Sequence, residues 1–181
     1  WNDIIKSYDI PFKEFILTTF HPETLFPKKN KVYIKTISNV LNELCGKFHI
    51  IITLPNADTM GNLYRDSFIS LKDKNPLNIS LIENFGKYNY FAAMKASKFI
   101  IGNSSSAILE SASFGKYAIN VGHRQLGRLR NDNIIDVNFN KDDIINKVNK
   151  VLKKGPFTGI NKYSKPNTSQ NIIQILKENE L

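Results

Sequence analysis

The chain has 181 residues, 41% of them hydrophobic and 23% charged, with a net charge of +9, which allows one well-buried core of ordinary globular composition. It contains no run of about 18 apolar residues, so no membrane-spanning helix is expected, and its opening residues, W-N-D-I-I-K-S-Y-D-I, lack the form of a signal peptide. The single Cys45 excludes an internal disulfide and fits a reducing, cytoplasmic compartment; the lysines are scattered, without a recognised nucleic-acid motif, so a solvated lysine surface, or a site for a small anionic ligand, explains the charge and no nucleic-acid partner is expected.

Residues 1–14 are polar and mixed and read as a linker or short helix. The chain lacks an initiator Met and is expected to be a piece of a longer one. Phe15 to Phe20 is strand-like and runs into His21-Pro22-Glu23-Thr24. A polar tetrad directly after a strand sits where α/β proteins hold ligands. His21, with a side chain that titrates near neutrality, suits phosphate binding or proton transfer; a surface histidine before a proline turn is the plainer alternative. Lys31 to Gly46 has the apolar spacing of an amphipathic helix, through Ile34, Ile37, Val40, Leu41 and Leu44. Phe48 to Leu54 is a strand with His49 inside it, read as structural. A loop at Pro55–Asp58, including Asn56, leads to a helix at about Asn62–Lys72.

Asn78 to Ile82 is the next strand, followed by a turn at Glu83–Gly86 and a helix from Tyr88 to Ala96. Phe99-Ile100-Ile101 is a short buried strand stopped by Gly102. Asn103 and Ser104–Ser106 then supply helix-capping side chains. Ala107, Ile108, Ser111 and Phe114 recur at helical spacing, so one helix is expected to run to Gly115. A helix start with three hydroxyls suits an anion, and Arg124 adds a planar donor fork; caps and a solvated arginine would explain the same residues. Tyr117 to Val121 and Ile134 to Val137 complete the strands. A helix over Asp142–Leu152, a loop over Lys153–Ser164 and a last helix at about Ser169–Glu178 follow.

Strands and helices alternate throughout, which predicts a Rossmann-like α/β fold: a parallel sheet with helices on both faces, formed by residues 1–181 as a single domain. The ligand should lie along the carboxyl ends of the strands. His21, Asn56, Phe85, Tyr90, Ser104–Ser106 and Arg124 fall at or just beyond such ends. Tyr90 could stack on a flat base, although Phe85 and Tyr90 also suit core packing. No cofactor is implied, and His21, His49 and His123 show no metal-ligand spacing with Cys45 or with paired carboxylates.

The segments F-H-P-E-T, I-I-G-N-S-S-S-A-I-L-E and I-N-V-G-H-R-Q-L-G-R resemble the C-terminal half of the UDP-N-acetylglucosamine 2-epimerases, over roughly Phe15 to Leu152. They look like the hydrolysing branch: the non-hydrolysing branch usually shows H-R-x-E-N and D-S-G-G at these places. Ser106-Ala107 departs from the Cys-Gly or Ser-Gly usual after the two serines. The resemblance implies one half of a GT-B-like two-domain fold that holds UDP. It assigns Ser104, Ser105 and Arg124 to the diphosphate, Glu110 to the ribose hydroxyls, Phe85 and Tyr90 to the uracil, and His21 to the reacting sugar as the catalytic residue of this half. It further implies elimination of UDP to a 2-acetamidoglucal, then hydration to N-acetylmannosamine, in sialic-acid-type sugar biosynthesis. A bacillosamine-type sugar stays open. The acid/base carboxylates would lie in an N-terminal domain of the same protein, so this chain alone is expected to be inactive. A UDP-sugar and that domain are the implied partners, with a homo-oligomer open and no membrane partner. The nucleotide-binding half of a GT-B glycosyltransferase and a non-catalytic nucleotide-sugar binding module are the competing readings.

Overall fold

The computed structural model describes residues 1–11, 13–55 and 60–179. Its strands are β1 (Phe15–Thr19), β2 (His49–Thr53), β3 (Ile79–Ile82), β4 (Ile100–Gly102), β5 (Ala118–Val121) and β6 (Ile134–Val137). Its α-helices are α1 (Asn2–Ser7), α2 (Asn30–Leu44), α3 (Gly61–Lys74), α4 (Gly86–Ala96), α5 (Ser105–Leu109), α6 (Lys141–Leu152) and α7 (Thr168–Glu178). Every strand pairing is parallel, and the six strands lie in the order β3-β2-β1-β4-β5-β6. This is the Rossmann-like arrangement, whose strand order reverses between β1 and β4.

Side chains alternate across the sheet and divide the core in two. Ile16, Ile50, Ile52, Ile101, Ile119 and Val121 point to one face, where they meet Ile37 and Leu41 of α2, Tyr64 and Phe68 of α3 and Ile144 and Val148 of α6. Phe15, Leu17, Ile51, Ile100 and Ala118 point to the other, against Ile5 of α1, Ala93 and Met94 of α4 and Ala107 of α5. A period of two along each strand produces this division. It also explains why the central strands read as unbroken apolar runs.

His49 is structural, as expected: it is buried, and its Nε2 lies 2.9 Å from Ser80 Oγ. Burial, helped by Lys72 and Lys13, holds its imidazole down at about 4.

The expected continuous helix to Phe114 is not formed. α5 ends at Leu109, and a 3-10 turn spans Ser111–Phe114. Three side chains take the carbonyls that a longer helix would have used. Ser111 Oγ donates to the Ala107 carbonyl, Asn131 Nδ2 to that of Ile108 at 3.1 Å, and Asn161 Nδ2 to that of Leu109 at 2.8 Å. With those acceptors engaged, the helix can stop without orphaned groups. Gly115 then closes the 3-10 turn at φ +67.

Candidate functional site

Two chain segments leave the sheet at its switch point, one after β1 and one after β4. They approach very closely. A Cβ on Gly102 would lie 2.1 Å from the Thr19 carbonyl oxygen, so only glycine lets the two strand ends meet there. Asn103, fully buried, then locks one to the other. Its Oδ1 accepts from the His21 backbone N–H at 2.7 Å and its Nδ2 donates to the His21 carbonyl at 2.8 Å. Asn103 is therefore not a helix cap; it fixes where His21 stands.

A cleft of about 510 Å³ opens beside this junction and is lined by Thr19, His21, Phe85, Tyr90, Ser104, Ser106 and Glu110, among others. Ser104 holds the N-cap position of α5, yet its hydroxyl makes no capping bond. That departs from the capping expected of it and leaves the hydroxyl free for a ligand. Glu110 is half-buried, and its Oε2 has no hydrogen-bond partner among the described residues. Burial raises its carboxyl above the ordinary range, opposed by a Ser106 hydrogen bond and by Lys87. Burial likewise pushes the Tyr90 phenol up, helped by the Glu110 charge and opposed by the nearby Thr19 and Ser106 hydroxyls; its own hydroxyl has no hydrogen-bond partner among the described residues. Phe85 is mostly core: it is 4% exposed, and its ring meets Tyr8 edge-on at 4.8 Å.

Ser105 and Arg124 flank the cleft without lining it. Ser105 opens α5 and is half-buried. Arg124 sits in the loop after β5, its Nη1 3.3 Å from the Asn103 carbonyl. Asn56 lies outside the described residues. The structure thus brings His21, Phe85, Tyr90, Ser104 and Glu110 to one cavity, with Ser105 and Arg124 at its edge.

Three framework residues were not picked out as such by their local sequence. Asn103 is the first. Gln125, 2% exposed, donates through Nε2 to the Asn103 carbonyl at 2.8 Å and ties the loop after β5 to the β4 end. Glu23, 1% exposed, accepts through Oε1 from the N–H groups of His123 at 2.8 Å and Arg124 at 3.0 Å. The signal for all three was present only as a polar residue inside a motif; their partners lie 22 to 101 residues away. Among the described residues, no group of three or more His, Cys, Asp or Glu side chains could hold a metal ion, and no helix is long and apolar enough to cross a membrane.

A parallel Rossmann-like sheet with a polar cleft at its switch point places the chain among the α/β folds that hold ligands beyond the carboxyl ends of their strands. The family model for UDP-N-acetylglucosamine 2-epimerase matches residues 1–177, and the chain belongs to that family. It is 40% identical over 143 residues to the GDP/UDP-N,N'-diacetylbacillosamine 2-epimerase (hydrolyzing) of Campylobacter jejuni, covering 78% of this chain and 37% of the relative. It is 32% identical over 167 residues to the UDP-N,N'-diacetylbacillosamine 2-epimerase (hydrolyzing) of Legionella pneumophila, covering 92% and 43%. A Methanocaldococcus jannaschii UDP-GlcNAc 2-epimerase, solved in complex with UDP-GlcNAc and UDP, superposes with a TM-score of 0.78 at 19% identity, over 98% of this chain and 49% of that one. The chain therefore spans less than half the length of the curated relatives it matches.

Proposed function

We propose that this chain is the UDP-binding half of a hydrolysing 2-epimerase that converts a UDP-2-acetamido sugar and water into UDP and the free 2-epimeric sugar. The observation that carries the proposal is the meeting of His21, Ser104, Glu110 and Tyr90 in one cleft at the switch point, in a chain of this family. The diphosphate lies at Ser104 and Ser105, with Arg124 reaching it from the edge. Glu110, whose Oε2 has no partner among the described residues, accepts from the ribose hydroxyls. Phe85 and Tyr90 form the wall beside the uracil, and His21 stands between diphosphate and sugar.

The reaction begins with loss of the C2 proton and cleavage of the bond from C1 to the UDP oxygen, giving a 2-acetamidoglucal. Water then adds its oxygen at C1, while a proton returns to C2 on the opposite face. Negative charge grows on the departing diphosphate, so hydroxyls and a guanidinium already in place stabilise the transition state more than the ground state. The acid/base carboxylates come from the other half of the protein, and this chain alone binds UDP without turnover.

The first substrate reading is UDP-N-acetylglucosamine, giving N-acetylmannosamine for sialic-acid-type sugar synthesis in the cytoplasm. A UDP-N,N'-diacetylbacillosamine substrate is the second reading, favoured by the names of the two relatives at 40% and 32% identity. The test incubates the full-length protein with each UDP-sugar in deuterated water. The proposal expects UDP release together with a free 2-epimer carrying deuterium at C2. UDP release without C2 deuteration, or sugar transfer to an added acceptor, would sink it in favour of a glycosyltransferase-like role.

A further inference from the structure

The tetrad after β1 contains a buried acid that does not line the cleft. Glu23 is 1% exposed, and no cation pairs with it among the described residues. Its backbone is held from both sides by Asn30, which accepts from the Glu23 N–H at 2.8 Å and donates to the Glu23 carbonyl at 3.0 Å. Asn30 is itself held by the Tyr64 hydroxyl at 2.9 Å. The carboxylate crosses to the loop after β5, where one oxygen receives both the His123 and Arg124 N–H groups. Successive amides converging after a glycine at φ +86 form an anion-holding concavity, and here the protein's own carboxylate fills it. The fit is close: a Cβ on Gly122 would lie 2.5 Å from Glu23 Oε1. Phe26, three residues on, braces the same loop by meeting the His123 ring edge-on at 5.7 Å.

A buried carboxylate without a counter-ion is costly, and its amide partners offset that cost only while the turn stays in this shape. The 122–124 turn in turn fixes where the Arg124 side chain starts. We propose that Glu23 is a positioning residue: by filling the amide concavity of this turn it aims the Arg124 guanidinium at the β4–α5 junction, the seat proposed for the diphosphate. The inference rests on that reading of Arg124. It also means that the His123 and Arg124 amides are spent on Glu23, so the loop contributes side chains rather than backbone N–H groups to an incoming anion.

The test uses the full-length protein and measures UDP affinity and amide hydrogen exchange at His123 and Arg124 in E23A, E23D, E23Q, R124A and the E23A/R124A pair. E23A should lose exchange protection at both amides and bind UDP about tenfold more weakly, as expected when a charge-assisted contact is misaligned. The double variant should bind no more weakly than R124A alone, because two residues acting through one contact are not additive. E23Q keeps an oxygen for both amides and should restore affinity; E23D keeps the charge but falls one methylene short and should not. If E23A does not fold, the contrast between E23Q and E23D decides the matter. Multiplying losses in the double variant, or full affinity and full protection in E23D, would overturn the proposal. Failure of the unsubstituted protein to bind UDP would instead overturn the reading of Arg124, and the exchange data would still show whether Glu23 holds the turn.

Discussion

Replacing Asn103 by alanine should be one of the most damaging changes near the cleft. The side chain is fully buried and makes two hydrogen bonds to the His21 backbone, at 2.7 and 2.8 Å. Alanine removes the Asn103 partner of one buried N–H and of one buried carbonyl, each loss costing about 1–3 kcal/mol. Together they predict a loss of roughly 2–6 kcal/mol, or on the order of 4–24 °C in melting temperature for a chain of this size. Asn103→Asp gives a second, sharper reading. Its carboxylate can still accept from the His21 N–H but faces the His21 carbonyl with another acceptor. At neutral pH it should be destabilised as well. On acidification, protonation turns that oxygen into a donor, so Asn103→Asp should recover relative to the parent as pH falls. Urea unfolding at several pH values measures both variants. A loss below about 0.5 kcal/mol for the alanine variant, the size of an ordinary surface change, would refute the claim that this residue joins the two strand ends.

Gly102→Ala places a Cβ 2.1 Å from the Thr19 carbonyl and should force β1 and β4 apart, at or beyond the upper end of the roughly 1–3 kcal/mol of an overpacked core; denaturant unfolding checks it. His49 is held at about 4 against an ordinary 6.5. Its neutral form therefore contributes stability that is complete above 6.5 and lost as pH falls from there towards 4, a limb that His49→Asn should flatten in unfolding midpoints. Glu110 has the opposite sign. Its folded carboxyl lies above the ordinary range, so stability is complete below that range and lost as pH rises through the raised value. Glu110→Gln should be more stable than the parent at neutral pH while weakening UDP binding; equal slopes of midpoint against pH in the two proteins would contradict this.

The repeating pattern was readable because it is local. Ile34, Ile37 and Leu41 fall on one face of α2 at helical spacing, and the strands announce themselves as short apolar runs bounded by glycine or polar turns. The order of those strands was not readable, since nothing in β1 or β4 states which neighbour it takes. The break after α5 escaped the pattern for a similar reason: the carbonyls of Ile108 and Leu109 are taken by Asn131 and Asn161, from loops far along the chain. The cleft residues His21 and Ser104 stood out as polar groups at strand ends, whereas Glu110, at the end of α5, was marked only by the family resemblance. Asn103, Gln125 and Glu23 did not stand out for their positions in the framework, because a buried polar side chain is identified by its distant partner rather than by its neighbours in sequence.

Thermal unfolding of the protein with UDP asks whether the cleft at the β1–β4 switch point holds a uridine diphosphate. At about one hundred times the dissociation constant, binding should add roughly 2.7 kcal/mol of stability, on the order of 5–10 °C in melting temperature. UDP should give that shift and ADP a smaller one, and Arg124→Ala should lose it. No shift with UDP, in this chain and in the full-length protein alike, would contradict a uridine diphosphate site in this cleft.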